Sequence, residues 1–163
     1  MSLQKLSEEQ IWDALDEVKD PELPVVSLVE MGIVREVERN GNDLVITMTP
    51  TFSGCPALVE MKTLIREKML EIGADSAEVK SVLSPAWSSD WITDEGRRKL
   101  KKFGLAPPRR HGGNIVMTFF DVVACPYCDS KNTTLKNSFG STLCRSIYYC
   151  YDCLDSFEQF KAL

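Results

Sequence analysis

The chain has 163 residues, 44% hydrophobic and 26% charged, with a formal net charge of -5; this suits one ordinary domain with a small appendage and is too apolar for a disordered chain. No apolar run approaches the roughly 18 residues of a membrane span, and Met1-Ser-Leu-Gln-Lys5 lacks the pattern of a secretory leader. The negative balance argues against a whole-chain nucleic-acid footprint, and a cytoplasmic location is the default expectation.

Residues 7–19 read as an amphipathic helix. Ser7 and Gln10 stand at capping-box spacing, and Ile11, Trp12, Leu15 and Val18 share one face. Proline disfavours helical geometry in the residue before it, so Asp20-Pro21-Glu22-Leu23-Pro24 is expected to be a stiffened loop. Its acids, Asp20 and Glu22, could serve as acid, base or metal ligand, although carboxylates beside prolines are also ordinary turn residues.

Gly32–Val37 and Leu44–Thr49 read as a β-hairpin around Glu38–Asp43, because Asn40-Gly41 supplies the positive φ that tight hairpins require. A turn over residues 49–56 leads into a second helix marked by Leu58, Met61, Ile65, Met69 and Ile72 and ended by Gly73. Proline suits the first helical position, so Pro56 places Cys55 at the N-cap. There the free N–H groups and the helix dipole would favour a thiolate able to bind soft metals or attack electrophiles. The alternative is a small core residue. His111 is the single histidine, read as a solvated linker residue, so a cysteine-histidine nucleophile pair finds no support.

Residues 77–83 predict a third strand, Trp87–Trp91 a loop, and Thr93-Asp94-Glu95 opens a third helix with an acidic start and a basic end. Trp87 and Trp91 either pack over the first domain or form a partner-binding loop. Arg97, Arg98, Lys99, Lys101, Lys102, Arg109 and Arg110 form a basic run that could dock an acidic or phosphate-bearing partner, or could be a solvated helix end. Residues 105–114 have linker composition and mark the domain boundary.

Five of the six cysteines lie between residues 125 and 153. Without a secretory leader they read as metal ligands or reactive thiols before disulfides. Cys125-Pro-Tyr-Cys128 and Cys150-Tyr-Asp-Cys153 are two C-x-x-C pairs, each fit for a tight knuckle, and together they offer the tetrahedral sulfur site that structural zinc favours. A rubredoxin-type iron site uses a similar pair of knuckles, and disulfides or free thiols remain alternatives. A segment of about 50 residues has too little core to fold reliably alone, so a metal can supply the missing stability. Cys144 reads as a buried filler.

Taken in order, these motifs are familiar. Asp20-Pro-Glu-Leu-Pro24, Leu28-Val-Glu-Met-Gly-Ile-Val34 and Thr51-Phe-Ser-Gly-Cys55-Pro-Ala57 resemble the signatures of the small MIP-type iron-sulfur assembly family. Pro85–Trp91, Gly104–Pro108 and Phe139–Cys144, ahead of the second knuckle, resemble the PaaD family of accessory subunits of bacterial phenylacetyl-CoA epoxidase systems. The resemblance implies iron-sulfur maturation, directed at the epoxidase's reductase component, and not catalysis of epoxidation. It carries the reactive cysteine to Cys55, the proline-loop acids to Asp20 and Glu22, and the zinc ligands to Cys125, Cys128, Cys150 and Cys153. A cluster normally takes four protein ligands, so iron or a cluster at Cys55 would be transient, shared with a client or bridged across a homodimer.

The expected fold is α/β: an α-β-β-α-β assembly domain over residues 1–105, then a linker and β-rich zinc ribbon over 106–163. The expected role is a non-enzymatic accessory factor with structural zinc and a protein client, and no membrane. The alternatives are a rubredoxin-like electron carrier and a nucleic-acid-binding ribbon.

Overall fold

The computed structural model describes residues 5–116 and 121–163. Residues 1–4, part of the stretch inspected for leader character, and residues 117–120 of the ribbon segment lie outside the described residues. The chain forms two compact units, Met1–Trp87 and Ser88–Leu163.

In the first unit α1 (Glu8–Glu17) starts at a complete capping box. Ser7 Oγ accepts the Gln10 N–H at 3.1 Å and Gln10 Oε1 accepts the Ser7 N–H at 2.9 Å, so two helix-end donors are satisfied reciprocally. Ile11 and Leu15 on its inner face are 1% and 0% exposed, each burial worth about 1.5–3 kcal/mol. The helix ends two residues before the expected position, because Val18 is already extended. The chain then enters a small antiparallel ribbon, β1 (Lys19–Asp20) and β2 (Leu23–Ser27), with Asp20 opposite Leu23. The proline segment expected as a loop is the turn of that ribbon.

β3 (Val34–Asn40) and β4 (Asp43–Met48) make the expected hairpin, and β4 pairs in parallel with β5 (Ser76–Ser81). Asn40 faces Asp43, so the turn residues are Gly41 and Asn42, and positive φ is needed only at Gly41. Parallel neighbours require a crossover; α2 (Leu58–Glu71) supplies it, turning Met61, Ile65 and Met69 inward. Leu44, Ile46 and Met48 of β4 alternate into the same core. Trp87 is buried, and its indole Nε1 donates to the Met31 carbonyl at 2.9 Å, so the packing alternative describes it.

The second unit begins with a 3₁₀ turn at Ser89–Trp91 and α3 (Asp94–Lys102), capped by Thr93, whose Oγ1 accepts the Gly96 N–H at 3.0 Å. Its sheet runs in the order β6 (Leu105–Ala106), β9 (Ser156–Phe160), β8 (Arg145–Cys150), β7 (Thr133–Asn137). β6 lies parallel to β9 and the other pairs are antiparallel. Leu105 and Ala106, expected in the linker, are therefore an edge strand of the ribbon sheet. They pair through their backbone and are both 2% exposed. The division expected between residues 105 and 106 and the boundary of the compact units differ by the segment 88–105, which carries α3. Among the described residues, the core under the metal loops is small: Ala106, Val123, Cys125, Cys150 and Phe157, with Tyr148 and Cys153 packed against it.

No helix among the described residues is long and apolar enough to cross a membrane.

Candidate metal centre

Two loops of the same construction bring four sulfurs together. In the first, the Cys125 carbonyl accepts the Asp129 N–H and the Cys125 N–H donates to the Ser130 carbonyl, both at 2.9 Å. In the second, the Cys150 N–H donates to the Asp155 carbonyl at 2.9 Å. The residue after the second cysteine is left-handed in both loops: Asp129 has φ 60° and Leu154 has φ 62°. This turn is what aims two thiols of one C-x-x-C at a common point. Cys125 and Cys150 are fully buried against the small core, whereas Cys128 is exposed and Cys153 half-buried.

The four Sγ atoms all lie within 4.8 Å of one another. Cys125 Sγ stands 3.7 Å from Cys153 Sγ, and Cys128 Sγ 3.6 Å from Cys150 Sγ. A tetrahedral ion with metal–sulfur bonds of about 2.3 Å has sulfur–sulfur edges of about 3.8 Å, so the donor set fits a four-thiolate ion, and all four are free thiols. Backbone donors tune it unevenly. The N–H of Cys153, with that of Asp152, holds the Cys150 thiol down to about 7. Cys153 receives the Asp155 N–H, but burial and its three neighbouring thiols outweigh this and push it up to about 12. A divalent cation at the centre favours the thiolate at every one of the four.

The other candidate residues lie apart from this centre. Cys144 is buried, 3.0 Å from Thr142 Oγ1, outside the four-sulfur group. His111 corrects the expectation of a solvated residue. Its side chain is 2% exposed, with Nδ1 accepting the Gly113 N–H at 3.1 Å and Nε2 3.2 Å from the Leu163 carbonyl. Asp90 accepts the backbone N–H groups of His111 and Gly112 at 2.9 and 2.8 Å, and this is why the Gly-rich segment folds back on the Trp-Ser-Ser-Asp-Trp stretch.

Much of the basic run is engaged locally. Arg98 pairs with Glu95, Lys101 with Asp129, Arg109 with Asp121 and Arg110 with Asp94, and Arg97 donates to the carbonyls of Ser89, Ile92 and Pro108.

In the first unit Cys55 does not cap α2. The N-cap is Ala57, and Cys55, Pro56 and Ala57 form a turn closed by the Leu58 N–H on the Cys55 carbonyl at 3.2 Å. A helix starting at Leu58 leaves the Cys55 thiol one turn short of the N–H groups that would stabilise its thiolate. Cys55 is 8% exposed. Asp20 is also buried, and its Oδ1 accepts the N–H groups of Glu22 and Leu23 at 2.8 and 3.2 Å, an Asx-type clamp on the proline turn. Glu22 is half-buried.

Glu30, which no sequence expectation singled out, is 6% exposed. Its Oε2 accepts the Ser27 N–H while Ser27 Oγ accepts the Glu30 N–H, both at 2.9 Å, and Ser27 Oγ donates to Asp16. The signal was present, because Ser27-Leu-Val-Glu30 has capping-box spacing.

Fold and loops together describe a chain that joins a small α/β unit of the assembly type to a ribbon carrying four convergent thiols. Residues 8–81 match the family described as iron-sulfur cluster assembly protein, and residues 120–161 match the PaaD zinc beta ribbon domain. The chain is 40% identical over 154 residues to an Escherichia coli (strain K12) relative described as a 1,2-phenylacetyl-CoA epoxidase subunit, covering 94% of this chain and 92% of that one. The chain belongs to the PaaD family. A Bacillus subtilis (strain 168) relative described as the Fe-S protein maturation auxiliary factor YitW is 34% identical over 101 residues, 61% of this chain and 94% of the relative. A solved domain of unknown function from Bacillus anthracis, at 32% identity and TM-score 0.52, covers 57% of this chain and 90% of that structure.

Proposed function

We propose that the chain is an accessory factor for iron-sulfur cluster assembly or maturation in a phenylacetyl-CoA epoxidase system, acting on the reductase component, with one zinc ion held by Cys125, Cys128, Cys150 and Cys153. The observation that carries this reading is the pairing, within one chain, of an assembly-type unit with a four-thiol ribbon, matched across nearly its full length by an epoxidase subunit. The relatives are described as a subunit and as maturation auxiliary factors, which supports a role without catalysis of its own. Zinc is favoured over iron by the ribbon family; the sulfur spacing suits either ion.

Iron or a cluster is cargo in this reading. Cys55 contacts it from the turn before α2, Asp20 shapes the neighbouring proline turn, and Glu22 offers a carboxylate there. A single cysteine cannot retain a cluster that wants four ligands, so the cargo passes through and is shared with the client or across a homodimer. The local engagement of much of the basic run removes the main support for a nucleic-acid ribbon.

The test is to produce the reductase component with wild type, with Cys55→Ala and with no factor, then measure iron and acid-labile sulfide in the purified reductase. Full cluster content with wild type and reduced content in the other two is expected. Equal content in all three contradicts the maturation role, and equal content in wild type and Cys55→Ala alone removes Cys55 from it. Purified factor that is red with bound iron would favour the electron carrier.

A further inference from the structure

One side chain ties the two sulfur-bearing loops to each other. Asp152 sits inside the second C-x-x-C, between Cys150 and Cys153. Its Oδ2 accepts the Ser130 hydroxyl at 2.5 Å and its Oδ1 accepts the Asn132 side-chain amide at 2.8 Å. Ser130 and Asn132 immediately follow the first loop. Ser130 Oγ, its own proton given to Asp152, accepts the Asn132 N–H at 3.0 Å. The Ser130 carbonyl takes the Cys125 N–H, and the Asn132 carbonyl takes the Tyr151 N–H, both at 2.9 Å. A continuous set of hydrogen bonds therefore runs from the backbone of Cys125, through Ser130 and Asn132, to the two residues between Cys150 and Cys153.

The identity of the residue is informative. Four thiolates around a divalent ion carry a net charge of -2, so a carboxylate beside them is electrostatically unfavourable. What the carboxylate offers is geometry: two acceptor oxygens on one rigid fork, each making a charge-assisted bond to a different residue of the opposite loop. β7 and β8 hold the two loops on their strand side, where Thr133 faces Cys150. Asp152 joins them on the loop side.

We propose that Asp152 is a positioning residue that locks the two loops in register, keeping the four thiols near their loaded arrangement and making the ion a slowly exchanging resident of the ribbon instead of cargo for the client. This rests on the reading that the four thiols hold an ion. Release requires the thiolates to leave in turn, and the first can leave only if its loop swings outward. The Asp152 clasp opposes that movement. Partners of this kind around metal ligands typically change metal affinity about 10–100-fold when removed.

The test uses the full chain, zinc-loaded, and follows zinc transfer to a chromophoric chelator; cobalt(II)-substituted protein supplies a spectrum that reports the ligand geometry directly. Asp152→Ala is expected to release zinc about 10–100-fold faster than wild type, and Ser130→Ala with Asn132→Ala to match it. Combining all three should add little, because they remove one shared network. Asp152→Asn, which keeps an acceptor oxygen, should fall between. The cobalt spectrum should keep its thiolate charge-transfer intensity while its ligand-field bands shift, an effect that a general loss of stability would not produce. Zinc release from Asp152→Ala at the wild-type rate overturns the proposal, as does an effect of Asp152→Ala that the Ser130 and Asn132 changes do not reproduce. A wild-type chain that takes up neither cobalt nor zinc would instead remove the four-thiol reading beneath it.

Discussion

A Cβ placed on Gly104 would lie 2.9 Å from the hydroxyl oxygen of Tyr127 and 3.0 Å from its ring. Gly104 ends α3 at φ +91°, and Tyr127 belongs to the first metal loop. The helix end and the loop thus share a space that admits no side chain, and the Lys101–Asp129 ion pair closes the same junction. Gly104→Ala is expected to destabilise the second unit by about 1–3 kcal/mol through the left-handed backbone alone, with the ring displacement added. Chemical unfolding of Gly104→Ala, Tyr127→Ala and the double variant separates the two contributions. The double should lose less than the sum, since Tyr127→Ala removes the overlap and leaves the backbone strain.

Leu154 occupies in the second loop the place that Asp129 has in the first, left-handed at φ 62°, with 69% of its surface exposed. It packs little and sits in a conformation that costs a bulky residue about 1–2 kcal/mol. Leu154→Asn, a residue that tolerates this region, should raise the thermal midpoint of the zinc-loaded second unit. A lower midpoint would mean that the leucine makes a contact worth more than the strain it carries.

Asp90 should make the second unit sensitive to acid. Burial alone would raise its pKa, but the N–H groups of His111 and Gly112, with the nearby charges of His111 and Arg97, hold it below the usual carboxylate value. A depressed folded pKa contributes stability that is complete above the unfolded value, about 3.9, and is lost as pH falls through the folded one. Thermal midpoints measured downward from pH 6 should fall more steeply below about pH 4 in wild type than in Asp90→Asn. At neutral pH Asp90→Asn should be less stable by about 1–2 kcal/mol, the worth of a charge on two N–H donors.

Stripping the ion with a strong chelator under reducing conditions should unfold the ribbon sheet and leave the first unit intact. The core under the loops has five buried residues among those described, too few to order the ribbon without metal. Amide hydrogen exchange can resolve the two: protection should vanish in β7, β8 and β9 and persist in β4 and α2. Protection lost in both units together would mean that they fold as one.

The elements whose signals are local were legible in the sequence. Ser7 and Gln10 announced α1, Gly41 the hairpin, and the two C-x-x-C pairs the four sulfurs. The features that escaped it depended on partners distant in the chain. Leu105 and Ala106 look like linker beside two prolines, and only the free edge of β9, more than fifty residues later, makes them a strand. His111 looked solvated because Leu163 and the Asp90 loop, which enclose it, are far away in sequence. Cys55 was placed at the N-cap on the strength of Pro56, but that proline stiffens the turn before the helix, and the first helical residue is Leu58. The Asp152 clasp was invisible for the same reason, since Ser130 and Asn132 meet it only after the loops have closed.

The most direct measurement is the native mass and metal content of the freshly purified full chain and of its four single Cys→Ser variants at 125, 128, 150 and 153. A four-thiolate ribbon predicts one zinc per wild-type chain of 18.4 kDa, reduced zinc retention in each variant, and unchanged zinc in Cys144→Ser and Cys55→Ser. A metal-free chain with any of the four cysteines joined in a disulfide, or zinc that survives loss of each of them equally, would contradict it.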